Sequence, residues 1–204
     1  TRKESSAASD VYKRQMYLIH LIILGVLGVN PVRYVKKTLE VLIFAFTSRS
    51  SAGSLPLNIQ TQTQRLGVPE GIANFSATFG LSIGQNGCAG IYPAMLAIMV
   101  APVAHVHIDF QFVITLIAVV IISSFGVAGV GGGATFASIL VLSTLNLPVA
   151  LAGVLISIEP LIDMGRTALN VNDSILAGTG TARLTKNWDK QTFESNNYGE
   201  LSSN

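Results

Sequence analysis

Glu159, Asp163, Arg166, Thr167 and Asn170 stand at i, i+4, i+7, i+8 and i+11, a spacing that a helix of about 3.6 residues per turn gathers on one face. The sequence around them is apolar, and no residue from Phe110 to Ile158 carries a formal charge. At the centre of a bilayer each charged side chain costs at least ~2.5 to 3.5 kcal/mol. Two acids and an arginine on one stripe must therefore face protein, a ligand or a water-filled cavity. The bland alternative is an internal Asp163 to Arg166 pair that locks helices together, although such a buried pair is often no more stable than an apolar replacement. Read as catalysis, Glu159 and Asp163 would be an acid/base dyad. Such dyads normally converge from separate elements, whereas these two lie one turn apart beside an arginine.

Other residues with chemistry are weaker signals on their own. The tip Ser48, Arg49, Ser50, Ser51, Ala52, Gly53, Ser54 could bind a ligand or simply satisfy a turn. The run Gly129 to Gly133 is followed by no Lys-Ser or Lys-Thr and preceded by no strand pattern, so it is not a phosphate loop; a flexible gate suits it better. Cys88 has no nearby histidine base and reads as a small pocket-lining residue rather than a nucleophile. His105 and His107, beside Asp109, read as ordinary loop residues rather than as a metal site.

The composition is that of an integral membrane protein. Charged residues make up 12% of the 204 and hydrophobic residues 50%, half the usual charge of a soluble surface, and the mean hydropathy is +0.53. The net charge of +2 arises within the first fifteen positions, leaving nine basic and nine acidic residues elsewhere, so nothing points to nucleic acid. A single cysteine excludes an internal disulfide.

The elements that must position the stripe follow from apolar length and basic flanks. Residues 1–15 are polar and read as a non-native leader or assembly scar outside the fold. Residues 16–30 are too short to span ~30 Å, which suggests the C-terminal part of a truncated helix. Arg33, Lys36 and Lys37 share the cytoplasmic side with Arg65 and with Arg183, Lys186 and Lys190 by the positive-inside rule. Residues 31–68 must then enter and return on the same side, as a re-entrant hairpin with the serine tip at its apex. Residues 69–104 are long enough to cross but are interrupted at Gly84 to Gly90, and unwound backbone at membrane depth lines a cavity or packs in protein. Residues 110–147 form a second hairpin with a glycine-rich tip, residues 149–182 the last span, and residues 183–204 a solvated cytoplasmic tail. Paired short segments around a broken helix are the mark of a secondary transporter with its site near the midplane.

From about Tyr17 to Arg183 the chain resembles the dicarboxylate/amino acid:cation symporter family, the glutamate-transporter fold. The likeness is carried by Ser48 to Pro56, by Gly126-Val127-Ala128-Gly129-Val130, and by Ile162-Asp163-Met164-Gly165-Arg166-Thr167 with Asn170. Ser82 to Pro93 is most similar to the bacterial L-cystine symporters of that family. The resemblance implies an all-α transport core with two re-entrant helical hairpins, one broken transmembrane helix and a C-terminal transmembrane helix. It also implies alternating access, a multi-pass place in the bacterial inner membrane with a cytoplasmic C-terminus, contact with lipid, and a homotrimer built on an N-terminal scaffold outside this sequence.

The site implied by the resemblance holds a small amino acid on Ser50, Ser51, Val130, Gly131, Cys88, Asp163, Arg166, Thr167 and Asn170, with no cofactor beyond a coupling Na+ or H+. For cystine, Asp163 takes an ammonium group. Ser51, Asn170 and the hairpin N–H groups take the adjacent carboxylate, and Arg166 takes the far one. The cation set is Ser82, Asn86, Ser123, Ser124, Gly126 and Asn170. Two sodium-binding carboxylates of the glutamate-type pattern are replaced, by Asn86 and Ser174, which predicts no more than one sodium per substrate. Glu159 is left as a proton carrier or as a balance to the second ammonium. Within the family the alternative is a glutamate, aspartate or C4-dicarboxylate carrier; outside it, a membrane-embedded acid/base enzyme or a passive channel.

Overall fold

The computed structural model describes residues 2–127, 129, 132–150, 153 and 159–196, and among these the regular structure is helical. Helix α1 runs Arg2–Val26. Residues 2–15 are thus its first half, where the sequence suggested a leader outside the fold. Neither glycine nor proline interrupts the chain between Arg2 and Leu24, so the apolar helix propagates back through the polar segment. Tyr12 from that segment is buried and donates to the Gly87 carbonyl at 3.3 Å.

The second helix, α2 (Pro31–Ser48), is started by the Asn30 side chain, which accepts from the Arg33 N–H, and by Pro31 at its first position. Such a cap and such a proline both favour a helix start. It stops at Arg49, which turns left-handed. After the serine tip the chain resumes as α3 (Leu55–Gln60), which widens into a π-helical turn, Thr61–Arg65. At the base of this unit Lys37 donates to the Arg65 carbonyl at 2.8 Å and Arg65 meets Glu40 at 2.5 Å. The chain therefore goes out along α2 and returns to its start.

Helix α4 (Glu70–Ser82) leads through a π-helical turn, Asn86–Ile91, into α5 (Tyr92–Val100). Together they form the 31-residue stretch, Glu70–Val100, that is long and apolar enough to cross a membrane. Next come α6 (Phe110–Ser124), capped by Asp109, and α7 (Gly133–Thr144). At about 1.5 Å per residue neither reaches across hydrocarbon. Helix α8 (Glu159–Leu184) carries the polar stripe, and α9 (Lys190–Glu194) ends the described chain.

Two of the four apolar clusters among the described residues are the larger. Leu24, Tyr34, Val41, Leu66, Ala73, Val171, Ile175 and Phe193 bind α1, α2, α4, α8 and α9 into one. Ala97, Val100, Leu116, Val141 and Leu142 bind α5, α6 and α7 into the other. The broken helix belongs to both, so its interruption is where the two bodies join. Large apolar side chains such as Phe75, Phe79, Ile117, Ile122 and Phe125 stay exposed, a surface suited to hydrocarbon or to further protein.

Unlike the solvated tail expected from its composition, residues 185–196 fold back. Trp188 donates to the Leu66 carbonyl at 2.8 Å, Arg33 to the Glu194 carbonyl at 2.7 Å, and Phe193 is buried. The backbone of Asp189 passes so close to Gly67 that a Cβ there would overlap its carbonyl oxygen, and Gly67 also has φ +69°. Only glycine meets both demands. Two apolar residues in a polar tail were the available signal.

Candidate functional site

The serine tip touches the glycine-rich segment at Gly129. The Ala52 N–H donates to the Gly129 carbonyl at 3.1 Å, and a Cβ on Gly129 would run into Leu81 and Ser51, so this close approach needs glycine. Ser50 closes the first tip, its hydroxyl accepting from the Gly53 N–H at 2.9 Å. Beneath it Ser51 Oγ reaches Gln85 Oε1 at 3.4 Å. Val130 and Gly131 lie outside the described residues.

Under the tips sits a closed group of four charges. Arg166 Nη2 donates to Glu159 Oε1 at 2.7 Å and to Asp163 Oδ1 at 3.3 Å. From the serine tip, Arg49 Nε donates to Asp163 Oδ2 at 3.2 Å, and its Nη2 lies 3.7 Å from Glu159 Oε2. Two acids thus meet two arginines, and the group is neutral. Arg166 is fully buried and its guanidinium stacks 4.2 Å over the Tyr92 ring. Among the described residues its Nε and Nη1 have no hydrogen-bond partner. Buried donors left unpaired are costly, and an incoming carboxylate would satisfy them.

The π-helical turn supplies the opposite wall. Asn170 holds it: its Oδ1 accepts from the Gly87 N–H at 2.8 Å, while its Nδ2 donates to Gln85 Oε1 at 3.0 Å and lies 3.1 Å from Cys88 Sγ. Cys88 Sγ in turn lies 3.8 Å from Asp163 Oδ1. Gln85, just before the π-helical turn, and Cys88 within it thus both meet Asn170 of α8, and π-helical turns are frequent at functional sites. Thr167 is buried on the same helix.

The structure therefore joins Ser51, Cys88, Glu159, Asp163, Arg166 and Asn170, with Ser50 shaping the tip. It adds Arg49, Gln85 and Tyr92, to which the sequence reading gave no role. Arg49 had a signal: the stripe carries two acids and one arginine, and that surplus negative charge calls for another cation. The expected cation set is less gathered. Ser82 Oγ, Ser123 Oγ and Ser124 Oγ donate to the carbonyls of Thr78, Val120 and Ile121 on their own helices, and the Gly126 N–H donates to the Ser123 carbonyl. The Asn170 side chain is spent on Gly87, Gln85 and Cys88, and the Asn86 side chain is hydrogen-bonded to Asp173 while its Oδ1 has no partner among the described residues.

Compared with known proteins, residues 14–184 match the sodium:dicarboxylate symporter family. The chain is 67% identical over 180 residues to the L-cystine uptake protein TcyP of Bacillus licheniformis, an alignment covering 88% of this chain and 39% of that protein. It is 66% identical to the same-named protein of Shouchella clausii over 183 residues, 89% of this chain and 39% of that one. With the Bacillus cereus protein of that name the figures are 59% over 199 residues, 96% and 43%. The chain thus spans about two fifths of the length of these relatives.

Proposed function

Because the chain belongs to the sodium:dicarboxylate symporter family, a family of membrane transporters and not of enzymes, we propose that it forms the substrate-binding core of a cation-coupled L-cystine symporter. The observation that carries this reading is the neutral group of Arg49, Glu159, Asp163 and Arg166, with two donors of Arg166 unpaired. Cystine is a double zwitterion with two ammonium and two carboxylate groups. Asp163 and Glu159 take the ammonium groups; Arg166 and Arg49 take the carboxylates, aided by Ser50, Ser51 and the hairpin N–H groups. Charges of the substrate replace the protein's internal partners one for one, so neither the empty nor the loaded site buries a net charge. A C4-dicarboxylate would bring two uncompensated negative charges to that neutral group.

Residues 31–68 and 110–147 act as re-entrant hairpins, a role supported for the second by helices of 15 and 12 residues, too short to span, and for the first by the return of its chain to the start of α2. Parting of the tips admits substrate, and their contact excludes water, which is the local form of alternating access. Arg33, Lys37, Arg65 and Arg183 all bond backbone carbonyls around one end of the first core. That end is the cytoplasmic face of the bacterial inner membrane, and the tail docks there. The full-length protein is a homotrimer, a reading that rests on the resemblance. Glu159, held between two arginines, serves as a fixed counter-charge. At most one sodium moves per cystine, on the oxygens of Ser82, Ser123, Ser124 and Gly126.

Uptake of labelled cystine into liposomes, with excess glutamate as competitor, tests the substrate. Cystine should accumulate against its gradient and glutamate should not compete; accumulation of glutamate instead would reject the reading. Arg166→Ala should abolish uptake, and normal transport by that variant would remove Arg166 from the site.

A further inference from the structure

The return arm of the first hairpin is tied to the last helix a second time, away from the charges. Ser76 Oγ of α4 donates to Gln62 Oε1 at 3.0 Å, Gln62 Nε2 to Asn58 Oδ1 at 2.8 Å, and Asn58 Nδ2 to Ser174 Oγ of α8 at 2.8 Å. Ser174 Oγ closes the series by donating to the Val171 carbonyl at 2.7 Å. Every donor points the same way, from α4 through the return arm to α8. Neither amide can turn over without setting like against like, and hydrogen bonds in such a chain polarise one another. Asn58, Gln62 and Ser174 are buried. The elements close on the chain because two positions are glycine: a Cβ on Gly80 would overlap the Ser174 side chain, and one on Gly178 would overlap Gln62 Oε1 and Ser76 Oγ.

The tie is placed where it can act on the site. Asn58 stands four residues after Ser54, whose carbonyl accepts from the Asn58 N–H at 2.8 Å. The Ser54 hydroxyl and N–H both donate to the Ser50 carbonyl in the serine tip, at 2.8 and 3.1 Å. On the other side, Ser174 stands four residues after Asn170, which grips Gly87, Gln85 and Cys88. The bond from Asn58 to Ser174 is therefore one helical turn from the tip on α3 and one turn from the substrate wall on α8. A slip of the return arm along α8 would carry Ser51 away from Gln85 and Arg49 away from Asp163. Apolar side chains could press α3 against α8 as firmly, but apolar contact has no direction and leaves the register open.

We propose that Asn58 and Ser174 are a positioning pair for cystine, whose hydrogen bond sets the register of the serine tip over α8. Neither touches the substrate; both act through Ser51, Arg49 and Asn170.

The proposal rests on the symporter reading, and the test separates the two. The full-length protein is placed in liposomes, and exchange of internal for external labelled cystine is measured over a range of cystine concentrations. Asn58→Leu and Ser174→Ala should each raise KM for cystine, by roughly three- to tenfold, with the maximal rate per folded transporter kept. The double variant should raise it no further, because both changes remove one bond. Thr179→Ala deletes another buried hydroxyl of α8, one that bonds only the Ile175 carbonyl of its own helix, and should keep the wild-type KM. A pair that merely packs helices would lower the unfolding midpoint and leave KM alone, so unchanged KM in the single variants overturns the proposal while cystine transport stands. Effects that multiply in the double variant, or an equal rise in Thr179→Ala, overturn it as well. Should Asn58→Leu not fold, Ser174→Thr against Ser174→Ala decides: the hydroxyl retained in the first should keep KM low, and equal KM in both overturns the pair. Absence of cystine exchange in wild type overturns the symporter reading itself.

Discussion

The neutrality of the four-charge group can be tested without substrate. Arg49→Gln leaves Glu159 and Asp163 sharing Arg166 alone, so one negative charge is unbalanced among side chains only 7% and 3% exposed. Breaking a fully buried pair costs about 3 to 5 kcal/mol. Arg49 is 32% exposed and Arg166 still bonds both acids, so solvent screening lowers the expected loss to about 1.5 to 3 kcal/mol. In a chain of this size that is roughly 3 to 12 °C in the unfolding midpoint. Glu159→Gln should destabilise for the opposite reason, leaving two arginines facing one acid. The double variant restores neutrality and should recover most of the loss. The assay is thermal unfolding of the four proteins in cystine-free detergent, read as a double-mutant cycle. Effects that add within about 0.5 kcal/mol would show that Arg49 and Glu159 are not coupled, and the charge-exchange account of cystine binding would fall with them.

Two further outcomes probe the tips and the tail. Gly129→Val should hold the two tips apart, because its side chain meets Leu81 and Ser51; cystine uptake should drop at least about tenfold, whereas Gly71→Ala, whose added Cβ meets nothing within 4 Å, should leave it unchanged. Equal uptake by both variants would refute tip contact as the closed state. The Thr192 hydroxyl and N–H hold the Asp189 carboxyl below its ordinary value. Its contribution to tail docking is therefore full above the ordinary carboxylate value of about 3.9 and is lost as pH falls through the depressed value. Fluorescence of Trp188, the chain's one tryptophan, should shift to the red over that fall in wild type and lack that step in Asp189→Asn.

Much of the helical order was legible because membrane helices advertise themselves by length of apolar sequence and by their basic flanks. The interruption at Gly84 to Gly90 and the stripe on α8 needed only periodicity and helical rise. What composition concealed was packing by a few apolar residues in polar surroundings. Tyr12 buries itself among fourteen mostly polar neighbours, and Trp188 and Phe193 pin a tail whose average character is hydrophilic. Averages over a window cannot see a single anchor.

The candidate site was half legible, and the missing half was the part contributed by other elements. Spacing along one helix places Glu159, Asp163, Arg166 and Asn170 on a face with no reference to the rest of the chain. Nothing in spacing brings Arg49 across more than a hundred residues to Asp163. Charge conservation could have done so. A buried stripe with a surplus acid requires a cation, and Arg49, the charged residue in a tip already assigned to the site, was the one at hand.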